Sequence, residues 1–141
     1  MVYIFLAMIC YSLALTFAAF ASRAADPIVV AAITNTISAL IPILIIIPTI
    51  GKMSVQNQRM GMIMAVCGGL LIALFVILLN KAFVQNKVAI VSPIVFGGSI
   101  FLSAILSYFF LKEKISMFQG IGMGLILFGI IFITYARLTG K

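Results

Sequence analysis

The side chains able to do chemistry are few, and their types decide which chemistry is open. Asp26 and Glu113 are the only acids, and the chain has no histidine. Paired carboxylates for acid–base work, a Ser-His-Asp arrangement and a metal-ligand cluster therefore have no residues to build them. Cys10 and Cys67 lack C-x-x-C spacing and read as small residues inside apolar segments. The expectation is no catalysis, no metal and no cofactor. What remains is a set of neutral hydrogen-bonding groups: Tyr11, Ser12, Thr16, Asn35, Ser38, Ser92, Ser99 and Ser103. Lining a cavity, such hydroxyls and amides suit a neutral or zwitterionic small molecule.

Their spacing places them on helix faces. Ser12, Thr16, Ala19 and Arg23 recur at intervals of four, three and four, and Ser99, Ser103 and Ser107 at intervals of four, so each set forms one stripe. A stripe of this kind either packs closely against another helix or lines a wet path, and both readings stand. Asn35 sits among Thr34, Thr36 and Ser38, and its amide needs a partner because an unpaired one is costly in hydrocarbon. That partner is a solute cavity or another helix. Pro42 and Pro93 remove backbone donors, and with Gly97 and Gly98 they mark expected kinks or hinges.

Other residues punctuate helices. Asp26 followed by Pro27 is a helix start, the carboxylate capping and the proline occupying the first turn where its missing N–H costs nothing. Ser116 and Gln119 fit the S-x-x-Q capping box. Glu113 precedes that helix, where a negative charge is favourable. Capping is enough to explain Glu113, and a gating pair with a cation is the competing reading. Gly120 and Gly124 form a small-xxx-small face that lets another helix approach.

The elements that position these residues follow from composition. With 65% hydrophobic and 8% charged residues, the chain cannot present an ordinary soluble surface. Apolar runs at about residues 1–22, 28–50, 60–80, 88–111 and 117–136 are each long enough to cross about 30 Å of hydrocarbon. The fold class is all-α integral membrane with five transmembrane helices, and Asn80 marks the interface end of the third. The connections SRAADP, GKMSVQNQR, KAFVQNK and KEKIS leave no room for a soluble domain between the spans. The first run lacks a basic n-region and exceeds the usual h-region, so it reads as a retained helix rather than a secretory signal. The net charge of +7 comes from cations lying between apolar runs, which points to lipid headgroups and orientation rather than nucleic acid.

The order Pro93, a small-residue helix, Glu113, Ser116, Gln119, Gly120, Gly124 and Gly129 resembles the EamA-type repeat of the drug/metabolite transporter superfamily. The opening YSLALTFAAFASRAADPIVVAAI is similar to that family's first two helices, so the resemblance covers nearly the whole chain. It implies one five-helix domain over residues 1–141, half of an inverted-repeat ten-helix transporter. Members usually carry two such units of opposite orientation around a cavity that alternates its access, and they move small metabolites, often outward. This sequence holds one unit, so the resemblance implies a pair. The small multidrug resistance family also forms antiparallel dimers, but its units have four helices and a glutamate in the first, where this chain has none.

Five spans alternate the loops between two sides. Lys52, Arg59, Lys112 and Lys114 fall on one, and Arg23, Lys81, Lys87, Arg137 and Lys141 on the other. Four against five gives almost no positive-inside bias, which is compatible with dual topology. The expected function is export or facilitated passage of small polar or amphipathic metabolites by an antiparallel homodimer in the lipid bilayer, with the prokaryotic inner membrane as its expected location. The alternatives are a non-transporting accessory or heteromeric membrane subunit, and a lipid-linked-sugar flippase subunit.

Overall fold

The computed structural model of the chain describes residues 2–48 and 59–139. Lys52 and Lys141, assigned above to loops, lie outside them, as does the side chain of Arg59. The described residues are all-helical, with no strand among them. Five stretches are long and apolar enough to span a membrane: Val2–Ala24, Pro27–Ile46, Met60–Gln85, Val88–Leu111 and Met117–Thr139. Helices are the expected solution, because each bonds all its interior backbone groups to itself where no water is available. Large apolar side chains point outward along every span, with Phe110 81% and Phe118 87% exposed. Lipid, not water, suits that surface. This is a multi-pass integral membrane protein.

The chain divides into two compact units, Met1–Gln85 and Asn86–Lys141. In the first, α1 (Val2–Ala24), α2 (Pro27–Ile46) and α3 (Arg59–Gln85) pack on one another. α2 starts where the sequence signals it: Asp26 Oδ1 accepts from the Ile28 N–H at 2.8 Å and the Val29 N–H at 3.3 Å. Pro42 lies inside α2, which continues across it to Ile46. The buried residues are Ala19, Ser22, Val30, Ala31, Leu79, Asn80 and Phe83. α3 runs past Asn80 to Gln85, so the KAFVQ stretch expected in a connection is helical, and Asn80 and Phe83 are only 1% and 0% exposed. Asn80 Nδ2 reaches the Pro27 carbonyl at 3.5 Å, and Arg23 Nε donates to the Phe83 carbonyl at 3.4 Å.

In the second unit the fourth span is not one regular helix. It comprises α4 (Val88–Ser92), a π-helical turn over Pro93–Gly97, α5 (Gly98–Leu106) and a second π-helical turn over Ser107–Leu111. The first wide turn begins at the proline, whose ring crowds the preceding turn and whose nitrogen cannot donate. Gly97 is buried, and a Cβ there would meet Ile130 Cδ1 at 2.7 Å, so α6 (Met117–Thr139) approaches closely at that point. The second wide turn ends at Lys112, whose φ of 55° is left-handed and turns the chain out of the helix.

Candidate functional site

The capping residues of the second unit do more than cap. The Ser107 carbonyl accepts the backbone N–H of Lys112 and that of Glu113 at 3.4 Å. The Ser107 hydroxyl donates to Glu113 Oε2. One residue thus holds the hairpin from both its backbone and its side chain. On the far side of the hairpin, the Ser116 N–H donates to Gln119 Oε1 at 2.8 Å and the Gln119 N–H donates to Ser116 Oγ at 3.3 Å. That reciprocal pair satisfies two donors at the start of α6, which otherwise have no partner within the helix.

The fold-back encloses a cleft of about 350 Å³. Ser107, Glu113, Lys114 and Gln119 supply its polar groups, and Ala104, Gly122, Met123 and Ile126 contribute apolar walls. A second, more apolar groove of about 600 Å³ runs along α5 and shares Ala104, Ser107 and Glu113 with the first. Lys114 has no hydrogen-bond or ion-pair partner among the described residues. In the first unit a cleft of about 340 Å³ lies between α1 and α2, lined by Phe17, Ala18, Ile33, Thr34, Ile37 and Ser38 among others.

Of the eight polar residues singled out from sequence, two line these three clefts. Ser38 lines the α1/α2 cleft, and Ser103 lines the groove along α5. Tyr11, Ser12, Thr16 and Asn35 belong to the first unit without lining that cleft, and Ser92 and Ser99 belong to the second without lining either of its two. Most of the hydroxyls are satisfied locally. Ser12 donates to Met8 O at 2.8 Å, Thr16 to Ser12 O at 3.0 Å, Ser38 to Asn35 O at 3.0 Å, Ser99 to Phe96 O at 2.9 Å and Ser103 to Ile100 O at 2.9 Å. A hydroxyl bonded back to its own helix can face lipid at little cost. Ser92 differs, since its Oγ is buried and has no partner among the described residues. Gly120 and Gly124 stand in α6 with open space where a side chain would be. Among the described residues no group of His, Cys, Asp and Glu side chains could hold a metal ion.

Lys114 is not among the sequence candidates, and Glu113 and Gln119 read from sequence as capping groups, with a gating pair as the competing reading for Glu113. The S-x-x-Q box and the charged KEKIS hairpin do reveal where the helix starts. Nothing in their spacing reveals that Ser107, six residues before Glu113, is folded against the same carboxylate.

Comparison with curated protein sequences and with solved structures finds no match. The family model described as the EamA-like transporter family matches residues 1–135, which takes in the first four spans, the capped hairpin and most of the fifth span. The chain belongs to the EamA-like transporter family.

Proposed function

We propose that the chain is a transporter of small polar or amphipathic metabolites, an exporter or facilitator, acting as an antiparallel dual-topology homodimer with alternating access. Residues 1–141 act in this reading as one five-helix domain of the inner membrane of a prokaryote. The observation that carries it is the near-even division of Lys and Arg, four against five, between the two sides of a five-span unit of this transporter family. A unit with so little orientation bias inserts both ways, and two oppositely inserted copies reproduce an inverted repeat. The open face at Gly120 and Gly124 offers a second copy a surface of close approach. The buried, unpartnered Ser92 Oγ is the best remaining candidate for a solute contact.

The test is orientation followed by flux. A Lys141→Cys variant, with Cys10 and Cys67 replaced by serine, is labelled from each side of intact membranes. Comparable labelling from both sides is expected, and labelling from one side alone rules out dual topology. Purified chain in liposomes is then expected to pass neutral or zwitterionic solutes without another protein. Flux that appears only after an unlike protein is added favours the heteromeric subunit instead.

A further inference from the structure

We infer that the hairpin cleft and the groove beside it form a binding site for a phospholipid with a primary-amine headgroup. The cleft lies where the spans Val88–Leu111 and Met117–Thr139 end. The regular span Met117–Thr139, with 23 residues, reaches about 34 Å at about 1.5 Å per residue, so its ends stand at headgroup depth. The occupant available there at high concentration is lipid.

The groups of the cleft match both charges of such a headgroup. Glu113 Oε2 is held by the Ser107 hydroxyl, while its second oxygen has no partner among the described residues. That oxygen accepts an ammonium N–H. The Lys114 ammonium, also unpartnered, faces the same cleft and suits a phosphate oxygen. Gln119 spends its Oε1 on the Ser116 N–H, which leaves its NH2 group to donate to that phosphate. Ile100, Leu106, Phe110 and Leu111 line the adjoining apolar groove, where acyl chains fit. The two spaces share Ala104, Ser107 and Glu113 as lining residues, so they lie side by side. A headgroup that donates hydrogen bonds is selected because the carboxylate can only accept them. A trimethylammonium headgroup carries the same charge and no donor.

The experiment uses the full chain purified in detergent and native mass spectrometry with phosphatidylethanolamine, its N-methyl and N,N-dimethyl derivatives, and phosphatidylcholine of the same acyl chains. Retention is expected to change little while the nitrogen keeps an N–H and to fall by about tenfold at the last methylation, the value of one charge-assisted hydrogen bond. E113M, which leaves neither an acceptor nor a charge at that position, is expected to flatten the series. Glycerophosphoethanolamine, which has the headgroup and no chains, is expected not to displace the lipid at equal concentration. Equal retention of the ethanolamine and choline lipids overturns the inference, as does an E113M protein that keeps the full discrimination. Displacement by the chainless headgroup assigns the cleft to a soluble solute and overturns it too. The methyl series is read on the unaltered chain, so a poorly folding variant leaves the decision intact.

Discussion

Gly97 is the position where a single added methyl group tests the packing of the second unit most directly. Its Cβ would lie 2.7 Å from Ile130 Cδ1, 3.3 Å from Ile130 Cγ1 and 3.1 Å from Ile126 Cγ2. Carbon atoms prefer about 3.5–4.0 Å, so the Ile130 methyl has to retreat by roughly 1 Å. Its χ2 torsion can supply that movement by leaving a staggered well, at about 0.5–1.5 kcal/mol. Alanine recovers up to about 1 kcal/mol over glycine in a helix interior, so Gly97→Ala should fall within about 1 kcal/mol of the parent. Ile130→Val removes Cδ1 and alone should cost about 0.5–1.5 kcal/mol. Together the two changes remove the closest contact and leave those at 3.1 and 3.3 Å, which need only a small adjustment of the neighbours. The double variant should then be more stable than the sum of the singles by about 0.5–1.5 kcal/mol, the rotamer cost that is no longer incurred. Gly97→Leu, which cannot be accommodated by one torsion, should cost at least about 1–3 kcal/mol. The assay is reversible unfolding in mixed micelles, followed by far-ultraviolet circular dichroism as the denaturing detergent is raised. Additivity of the two singles within about 0.3–0.5 kcal/mol would falsify the close approach of Gly97 to Ile130.

Three further outcomes are expected, the first two in the same unfolding assay. Asp26→Ala removes the acceptor of the Ile28 and Val29 N–H groups and should cost about 1 kcal/mol, whereas Asp26→Asn keeps an acceptor and should cost a few tenths; equal losses would exclude capping as the role of Asp26. Lys112→Gly should stabilise by up to about 1 kcal/mol and Lys112→Val should destabilise by about 1 kcal/mol or more, because only glycine adopts a φ of 55° freely; the reverse order would show that the hairpin leaves the helix differently. Asn80→Leu should leave folded yield close to the parent, since it removes a buried Oδ1 that has no partner, while Asn80→Asp should abolish most of it by burying a charge at a site 1% exposed; size-exclusion chromatography of detergent extracts reads both.

The five helices were legible because two strong constraints act along the chain itself. A run of about 20 apolar residues fits the bilayer, and only a helix leaves no backbone group unbonded there. The caps were legible for a similar reason, since Asp26 with Ile28 and Val29, or Ser116 with Gln119, are partners within three residues. The end of α3 was not legible, because Asn80 looks like an interface residue until Phe83 and Pro27 are found around it. Nor was the hairpin cleft. Its shape depends on a wide turn over Ser107–Leu111 and a left-handed Lys112, and neither leaves a proline or glycine as a marker.

The serine stripe shows why periodicity is a weak guide to a transport path. Ser99 and Ser103 share a helix face by their spacing, yet each hydroxyl is bonded to the carbonyl three residues before it, and both residues are exposed. Such a hydroxyl tolerates lipid, another helix or water almost equally, so its face carries little information about which of them it meets. Information resides in polar atoms that the helix cannot satisfy. Within hydrocarbon an unpaired group is expensive, so a fold that retains one must gain a partner in another state or from another molecule. Ser92 Oγ and Asn80 Oδ1 are such atoms, and Lys114 is the corresponding unpaired cation at the membrane edge. In the proposed readings these three groups, rather than the regular stripes, are the ones a solute, a lipid or a second copy of the chain would satisfy.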